Sequence, residues 1–188
     1  LDYLYLTDNG IWGVALGVAA TYIVLFIIFG AFAEKAGVAD FFIDLANSIT
    51  GHTKGGPAKV AICSSALIGS VTGSTVANVY TTGQFTIPMM KRLGYKPSIA
   101  GAVEALASNG GQIMPPIMGA TAFILAAYSG VPYVEVAIAS LIPALLYFGG
   151  LFWFIHLEAY KTGLVGIPVE DKPSVKKVLL KGGHLISP

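Results

Sequence analysis

The residues best suited to chemistry fall in two short breaks in otherwise apolar sequence. The first is GSVTGSTVAN, Gly69–Asn78, with hydroxyls at Ser70, Thr72, Ser74 and Thr75 and an amide at Asn78. If a helix ends near Ser70 and Val71, its last carbonyls are unsatisfied and partly negative. Ser74 or Thr75 then caps a second helix whose first N–H groups are partly positive. A cation would suit the first set and an anionic group the second. Thr72, Ser74, Thr75 and Asn78 add neutral oxygens without fixed charge, the donor set a Na⁺ ion needs. A competing reading makes the same residues a tight turn, with Gly69 and Gly73 as a small-residue pair for close helix packing.

The second break is SNGGQIMPP, Ser108–Pro116. Pro115 and Pro116 have no N–H, so the carbonyls of Gly111 and Gln112 lose their usual helical donors. Asn109-Gly110-Gly111 supplies backbone that unwinds easily. Two such breaks in consecutive membrane elements can face one another and share an ion. The plainer alternative is a proline-kinked helix repaired by its neighbours. Glu104 is the one ionisable side chain between Lys96 and Glu135. On a helix it shares a face with Gly101, Ala105 and Ser108. An acid inside a membrane is costly and points to proton or cation handling, unless its carboxyl serves a cap, the backbone or the interface. His156 reads as an interfacial residue, and His52 and His184 as surface ones.

These breaks interrupt segments that belong in lipid. Residues 60–90 carry no charge, a run longer than a bilayer crossing requires. Its arms, roughly 57–70 and 75–90, would each be about 21–24 Å long as helices, too short to cross about 30 Å of hydrocarbon alone. The expected element is a re-entrant hairpin over 57–90. Around it the sequence predicts a span over 11–33, an amphipathic interfacial helix over 38–49, a broken helix over 97–130 and a span over 136–156. In the interfacial helix Phe41, Phe42, Leu45 and Ile49 share one face, with Asp40, Asp44 and Asn47 towards the other. The two halves of the broken helix are expected at Pro97–Gly110 and Gly111–Gly130. The fold class is therefore an all-α membrane protein, with one membrane domain over 1–156 and a polar cytoplasmic linker or tail over 157–188. Within that tail SVKKVLLK, Ser174–Lys181, is a basic amphipathic stretch suited to the cytoplasmic leaflet, beyond Pro168 and near Pro173.

Charge placement supports this layout. With 57–90 entering and leaving on one side, Lys35, Lys54, Lys59, Lys91, Arg92, Lys96, Lys161, Lys172, Lys176, Lys177 and Lys181 all share a face, opposite Asp2, Asp8 and Glu135. The positive-inside rule makes that face cytoplasmic. Tyr3, Tyr5, Trp12, Tyr128 and Tyr133 mark the outer interface, and Tyr95, Trp153 and Tyr160 the inner one. Composition agrees: 55% of residues are hydrophobic and 11% charged, against roughly 25% charged in soluble domains, and mean hydropathy is +0.73. A net charge of +1 gives no argument for a nucleic-acid partner. The single cysteine, Cys63, allows no intrachain disulfide. GSVTGS is not a nucleophile elbow, no histidine matches the depth of Ser70 or Ser74, and no zinc spacing or phosphate-binding loop occurs. No enzyme is expected; a hydrolase using Ser74 is the weakest reading. The chain starts at Leu1 without Met or a signal-peptide pattern and reads as a piece of a longer polypeptide.

Four stretches carry a family resemblance: FGAFAEKAGVADFFIDLAN, GGPAKVAICSSALIGSVTGSTVANVYTTGQFTIPMMKRLGYKP, AGAVEALASNGGQIMPPIMGATAFILA and PALLYFGGLFWFIHLEAYKTGL. Over nearly all of residues 1–168 the chain resembles the large membrane subunit of TRAP transporters, most of all the fused permeases of the TAXI branch. The resemblance implies an elevator-type secondary transporter of a bacterial or archaeal cytoplasmic (inner) membrane, built as an inverted repeat, of which this chain is the first half. It implies uptake of a small organic acid, delivered by an extracytoplasmic substrate-binding protein, by symport with a cation, usually Na⁺. Its other partners would be a small membrane subunit or fused equivalent, the remaining half of the permease, and the lipid bilayer. Carried onto this sequence, substrate contacts fall on Ser74, Thr75, Asn78, Asn109 and Gly110. Na⁺ contacts fall on Ser70, Thr72, Gly73, Ser74, Gly111 and Gln112, with Pro115 and Pro116 making the helix break. Glu104, in AVEALAS, looks like a TAXI feature and implies proton coupling as the alternative. A non-transporting scaffold or assembly module is the rival class.

Overall fold

The computed structural model describes residues 5, 7, 10–164, 166–167 and 175–182. Asp2, Tyr3, Asp8, Pro168, Lys172, Pro173, Ser174 and His184 lie outside the described residues, as do the side chains of Lys177 and Lys181. Every regular element among the described residues is helical. Helix α1 covers Val14–Lys35 with one π turn at Ala19–Ile23, and α2 covers Val38–Thr50. Helices α3 (Gly56–Thr72) and α4 (Thr75–Arg92) form a hairpin, α5 (Pro97–Gly110) and α6 (Ala120–Ser129) flank a non-helical stretch, and α7 (Tyr133–Thr162) is the longest helix. Helix α8 covers Val175–Gly182. Helices α1 and α7 are long and apolar enough to cross a membrane.

Each arm of the hairpin has a clear start and stop. Pro57 sits in the first turn of α3, where its missing N–H costs nothing. Gly73 ends α3 at φ +61, a left-handed conformation that glycine adopts freely, and its N–H returns to the Gly69 carbonyl at 2.8 Å. Ser74 then caps α4, its Oγ accepting the Ala77 N–H at 3.3 Å. A two-residue turn thus reverses the chain, and α3 and α4 pack together. Helix α5 lies against both, and α7 closes the base. The core gathers there from Ala58, Ile62, Met90, Val103, Phe148 and Ile155. Its many alanines let helix axes approach closely, as membrane helices require.

The helix over 38–49, expected at an interface, packs along α3 and runs antiparallel to it. Val38 and Ala39 sit beside Ile68 and Val71, while Gly51 lies against Gly56 at the base. Its buried side chains include Ser48 and Thr50, whereas Ile49 is 54% exposed. Both hydroxyls turn back on their own helix, Ser48 to the Leu45 carbonyl at 2.7 Å and Thr50 to that of Ala46 at 2.9 Å, so small polar residues can face α3 cheaply. A consequence concerns Lys35. Gly30 lies against Thr72, and the Glu34 carboxylate accepts from Thr81 Oγ1 at 3.1 Å. Lys35 therefore ends its helix about 9 Å below the hairpin tip, away from Lys54 and Lys59 at the base.

The break expected over Ser108–Pro116 runs on to Gly119, and the second half of the broken helix starts at Ala120. Residues 111–119 stay out of the helix because Pro115 and Pro116 cannot donate and Met118 takes a positive φ of 57. Helix α8 docks on α2: Val178 is buried, and Gly182 lies so close to the Phe41 ring that no larger residue fits.

The base holds a buried cation. Lys59 is 2% exposed; its Nζ donates to Thr53 Oγ1 at 3.2 Å and lies 2.9 Å from His156 Nδ1 and 5.0 Å from the Phe152 ring centroid. His156 is thus a partner that ties α7 to α3, a larger role than interface marking. No carboxylate pairs with this ammonium among the described residues, and a buried charge stripped of an acceptor is costly. His156→Leu should lower the unfolding midpoint in detergent by an amount equivalent to about 1–3 kcal/mol. Lys59→Met should cost less, because it removes the charge and keeps the stem; a thermal scan of both variants checks the order.

Candidate functional site

The two breaks meet. A Cβ built on Gly69 would overlap the Cα of Gly111, and one built on Gly111 would lie 2.7 Å from the Cα of Gly69. Main chain therefore touches main chain at this point, and glycine is required on both sides. Gly73 is equally constrained: a Cβ there would strike the carbonyl of Met118. The pair read as a packing motif thus holds the hairpin tip against the second break.

Hydrogen bonds complete the joint. The Ile117 N–H donates to the Ser70 carbonyl at 3.1 Å, the Gly119 N–H to the Gln112 carbonyl at 2.7 Å, and Gln112 Nε2 to Thr75 Oγ1 at 2.6 Å. Asn78 is fully buried and donates Nδ2 to the Ser65 carbonyl at 2.9 Å. Its Nδ2 lies beside both Gly69 and Gly111, and its Oδ1 has no hydrogen-bond partner among the described residues. A buried amide oxygen left free is uncommon and is a neutral hard donor suited to a cation.

A cavity of about 330 Å³ opens beside this joint, between α1, the hairpin tip and the start of α6. Thr72, Gly73, Ser74, Thr75 and Gln112 line its polar side, joined by Thr121; Phe26 and Ile27 of α1 form part of the apolar side. The residues expected to act together therefore divide into two groups. Ser70, Asn78 and Gly111 lie at the buried joint, whereas Thr72–Thr75 and Gln112 face the cavity. Ser70 and Thr72 also donate their hydroxyl protons to Leu67 and Ile68 carbonyls, at 2.7 and 3.1 Å. Asn109 is exposed, with Oδ1 3.5 Å from Thr75 Oγ1. Gly110 belongs elsewhere: it is buried beneath Tyr147 and Phe148 of α7, where a Cβ would come within 2.6 and 2.7 Å of the rings. Its role is packing, and it does not line the cavity. Pro115 and Pro116 lie in the loop that Ile117 anchors to the hairpin.

Glu104 forms a second polar centre. It is 1% exposed and its carboxylate meets the hydroxyls of Thr82, Thr86 and Ser108, the last at 3.1 Å. Ser65 Oγ reaches Thr82 Oγ1 at 3.3 Å. Gly83 makes room for the acid, since a Cβ there would be 3.3 Å from Glu104 Cγ. Ala105, expected on the same face, is exposed instead. The carboxyl serves no cap and reaches no interface; it is caged by hydroxyls from α4 and α5. Ser108 was expected on this face; Thr82 and Thr86 were not singled out, but a signal existed: Asn78, Thr82 and Thr86 recur every fourth residue along α4, one polar stripe.

Apolar spanning helices around two facing backbone breaks, with neutral oxygens at the contact, are the make-up of an integral membrane transport protein. The model of the family described as "Tripartite ATP-independent periplasmic transporter, DctM component" matches residues 4–187, and the chain belongs to that family. Among its relatives, the C4-dicarboxylate TRAP transporter large permease protein of Pseudomonas aeruginosa is 31% identical over 143 residues, 76% of this chain and 33% of that protein. The ectoine TRAP transporter large permease protein of Halomonas elongata is 30% identical over 150 residues, 80% and 34%. The sialic acid TRAP transporter large permease protein of Vibrio cholerae is 27% identical over 143 residues, 76% and 33%. The chain thus spans about a third of the length of the curated relatives it matches. Its family is one of transporter permeases rather than enzymes.

The glycine contact makes a direct prediction. Gly69→Ala and Gly111→Ala should each force the breaks apart and lower stability by about 1–3 kcal/mol, whereas Gly101→Ala, where added bulk meets nothing within 4 Å, should be neutral. Unfolding midpoints of the three variants test this.

Proposed function

We propose that the chain is the first repeat of a TAXI-type TRAP permease and contributes one cation site and half of an organic-acid site. Residues 57–90 are a re-entrant hairpin and 97–130 a discontinuous membrane helix, whose breaks meet at membrane depth. The coupling ion is Na⁺, a transported partner of the substrate, held near Ser70, Thr72, Gly73, Ser74, Gly111 and Gln112 with the free Asn78 Oδ1 as an added ligand. The substrate's anionic group is received on the cavity side by Ser74, Thr75 and Gln112 and by the first N–H groups of α4 and α6. The protein works in a bacterial or archaeal cytoplasmic membrane with its Lys/Arg-rich loops inside. It acts with an extracytoplasmic binding protein, a small membrane subunit or fused equivalent, and the rest of the permease. One observation carries this reading: two glycine-lined breaks pack main chain to main chain beside the amide of Asn78, whose buried Oδ1 has no hydrogen-bond partner among the described residues. A mere scaffold has no need of that orphan.

Glu104 favours a second reading, proton coupling. Thr82 Oγ1 lies 2.7 Å from the Asn78 carbonyl, and Thr86 Oγ1 lies 3.0 Å from that of Thr82. Each threonine faces both a helix carbonyl, which only accepts, and the Glu104 carboxyl. Rotated towards the carboxyl, the hydroxyls satisfy an ionised acid. When the acid is protonated, the threonine facing its O–H rotates towards the helix carbonyl and accepts from that O–H, while the other goes on donating to the remaining oxygen. The cage therefore accommodates both states by hydroxyl rotation, without moving a helix.

Uptake into liposomes by the full-length permease and its binding protein separates the readings. Under the first, an imposed Na⁺ gradient drives uptake, and Ser74→Ala or Asn78→Ala raises the half-saturating Na⁺ concentration by about tenfold, near 1.4 kcal/mol of lost binding. Under the second, only a pH gradient drives uptake, and Glu104→Gln abolishes it with expression intact. Normal Na⁺-driven transport by both Ser74 and Asn78 variants would remove the hairpin tip from the mechanism.

A further inference from the structure

The loop between α5 and α6 is held to the hairpin on one side, and from the other side α7 reaches it through a tyrosine hydroxyl. Tyr133, the first residue of α7, lies with its hydroxyl between the carbonyls of Pro116, at 3.1 Å, and Ile117. Ile117 is the residue whose N–H engages the Ser70 carbonyl, so one residue is held from both sides: its oxygen by Tyr133 and its nitrogen by Ser70. The Tyr133 ring stacks on Phe123 of α6 at 4.3 Å and 1°. Phe123 in turn contacts Phe26 at 5.0 Å and stacks with Tyr22 at 6.1 Å. Tyr22 belongs to the π turn of α1, the kind of local widening that re-aims side chains. An aromatic column from α1 through α6 thus fixes the ring, and the ring fixes the hydroxyl.

We infer that Tyr133 is a positioning residue for the cation site, acting through Ile117 and Ser70; this rests on the reading under Proposed function. Without the hydroxyl the Ile117 carbonyl loses its fixed donor, and the peptide units that carry Ile117 N–H and Met118 C=O are free to tilt. Ser70 and Gly73 then lose the counterface that holds the α3 terminus in ligand geometry. Binding strength depends on such preorganisation more than on contact number. The ring stack remains when only the oxygen is removed, so the substitution isolates the hydrogen bond.

The test uses the full-length permease in liposomes with its binding protein, titrating Na⁺. Tyr133→Phe should raise the half-saturating Na⁺ concentration about three- to tenfold, as loss of one hydrogen bond implies. Maximal rate should stay within about twofold, since the geometry recovers once the ion is bound. A purely structural tyrosine would instead lower the unfolding midpoint and the maximal rate together and leave the Na⁺ requirement unchanged, and that result overturns the inference. If Tyr133→Phe does not yield folded protein, Phe123→Leu loosens the stack and keeps the hydroxyl. It should shift the Na⁺ requirement in the same direction by less, and no shift overturns the inference. A wild-type protein indifferent to Na⁺ defeats the reading under Proposed function and this inference with it. A Na⁺-dependent wild type with an unshifted Tyr133→Phe defeats the inference alone.

Discussion

The contact between Gly69 and Gly111 is the constraint from which the rest of the site follows. Two main chains that touch without side chains between them bring their carbonyls and N–H groups within mutual reach. That is how Ile117 can engage Ser70, how Gln112 can engage Thr75, and why the amide of Asn78 lies against both breaks. Unsatisfied backbone is costly in lipid. Each break therefore satisfies part of the other, and Asn78, packed against both, keeps an amide oxygen with no partner among the described residues. Small residues here are a condition of the geometry and not a sign of looseness.

The surrounding helices serve this joint in different ways. Helix α2 follows α3 along its length, and α5 packs against both arms, so α3 is enclosed despite its polar end. Helix α7 reaches the hairpin's surroundings at three levels: Tyr133 at the loop, Tyr147 on the Leu106 carbonyl at 2.8 Å, and His156 on Lys59. Neutral partners hold the Lys59 ammonium, and hydroxyls hold the Glu104 carboxyl. This economy of charge suits a protein whose polar groups must survive in a low dielectric.

Much of this was legible from residue types. The first arm, expected to end near Ser70 and Val71, ends at Thr72, and Ser74, one of two expected caps, caps α4. These and the helix break at Pro115-Pro116 follow from local stereochemistry, which needs no knowledge of neighbours. Periodicity and length were sufficient to identify the long apolar helices. What could not be read depends on how helices rotate against one another. The Asn78–Thr82–Thr86 stripe was visible as a spacing, but that it faces Glu104 depends on the packing of α4 on α5. The face that helix α2 turns to α3 was hidden for a similar reason: Ser48 and Thr50 are buried there with their hydroxyls turned onto their own helix's carbonyls. Gly110 and Gly111 are neighbours of identical type, yet one lies beneath aromatic rings and the other at the joint. Tyr133, read as an outer-interface marker, also anchors the loop, because an aromatic with a polar tip suits both positions.

The central claim is that the hairpin tip and the second break form one joint, and a pair of engineered thiols tests it most directly. Residues linked by a backbone N–H to carbonyl bond have Cα atoms about 5 Å apart in paired strands, within the range a disulfide requires. Ser70→Cys with Ile117→Cys, in a full-length permease carrying Cys63→Ala, should lose both introduced thiols on mild oxidation in native membranes and regain them on reduction. Either single variant should keep its thiol throughout. Two thiols that stay fully reactive to maleimide after oxidation, in a protein that still folds, would contradict the account.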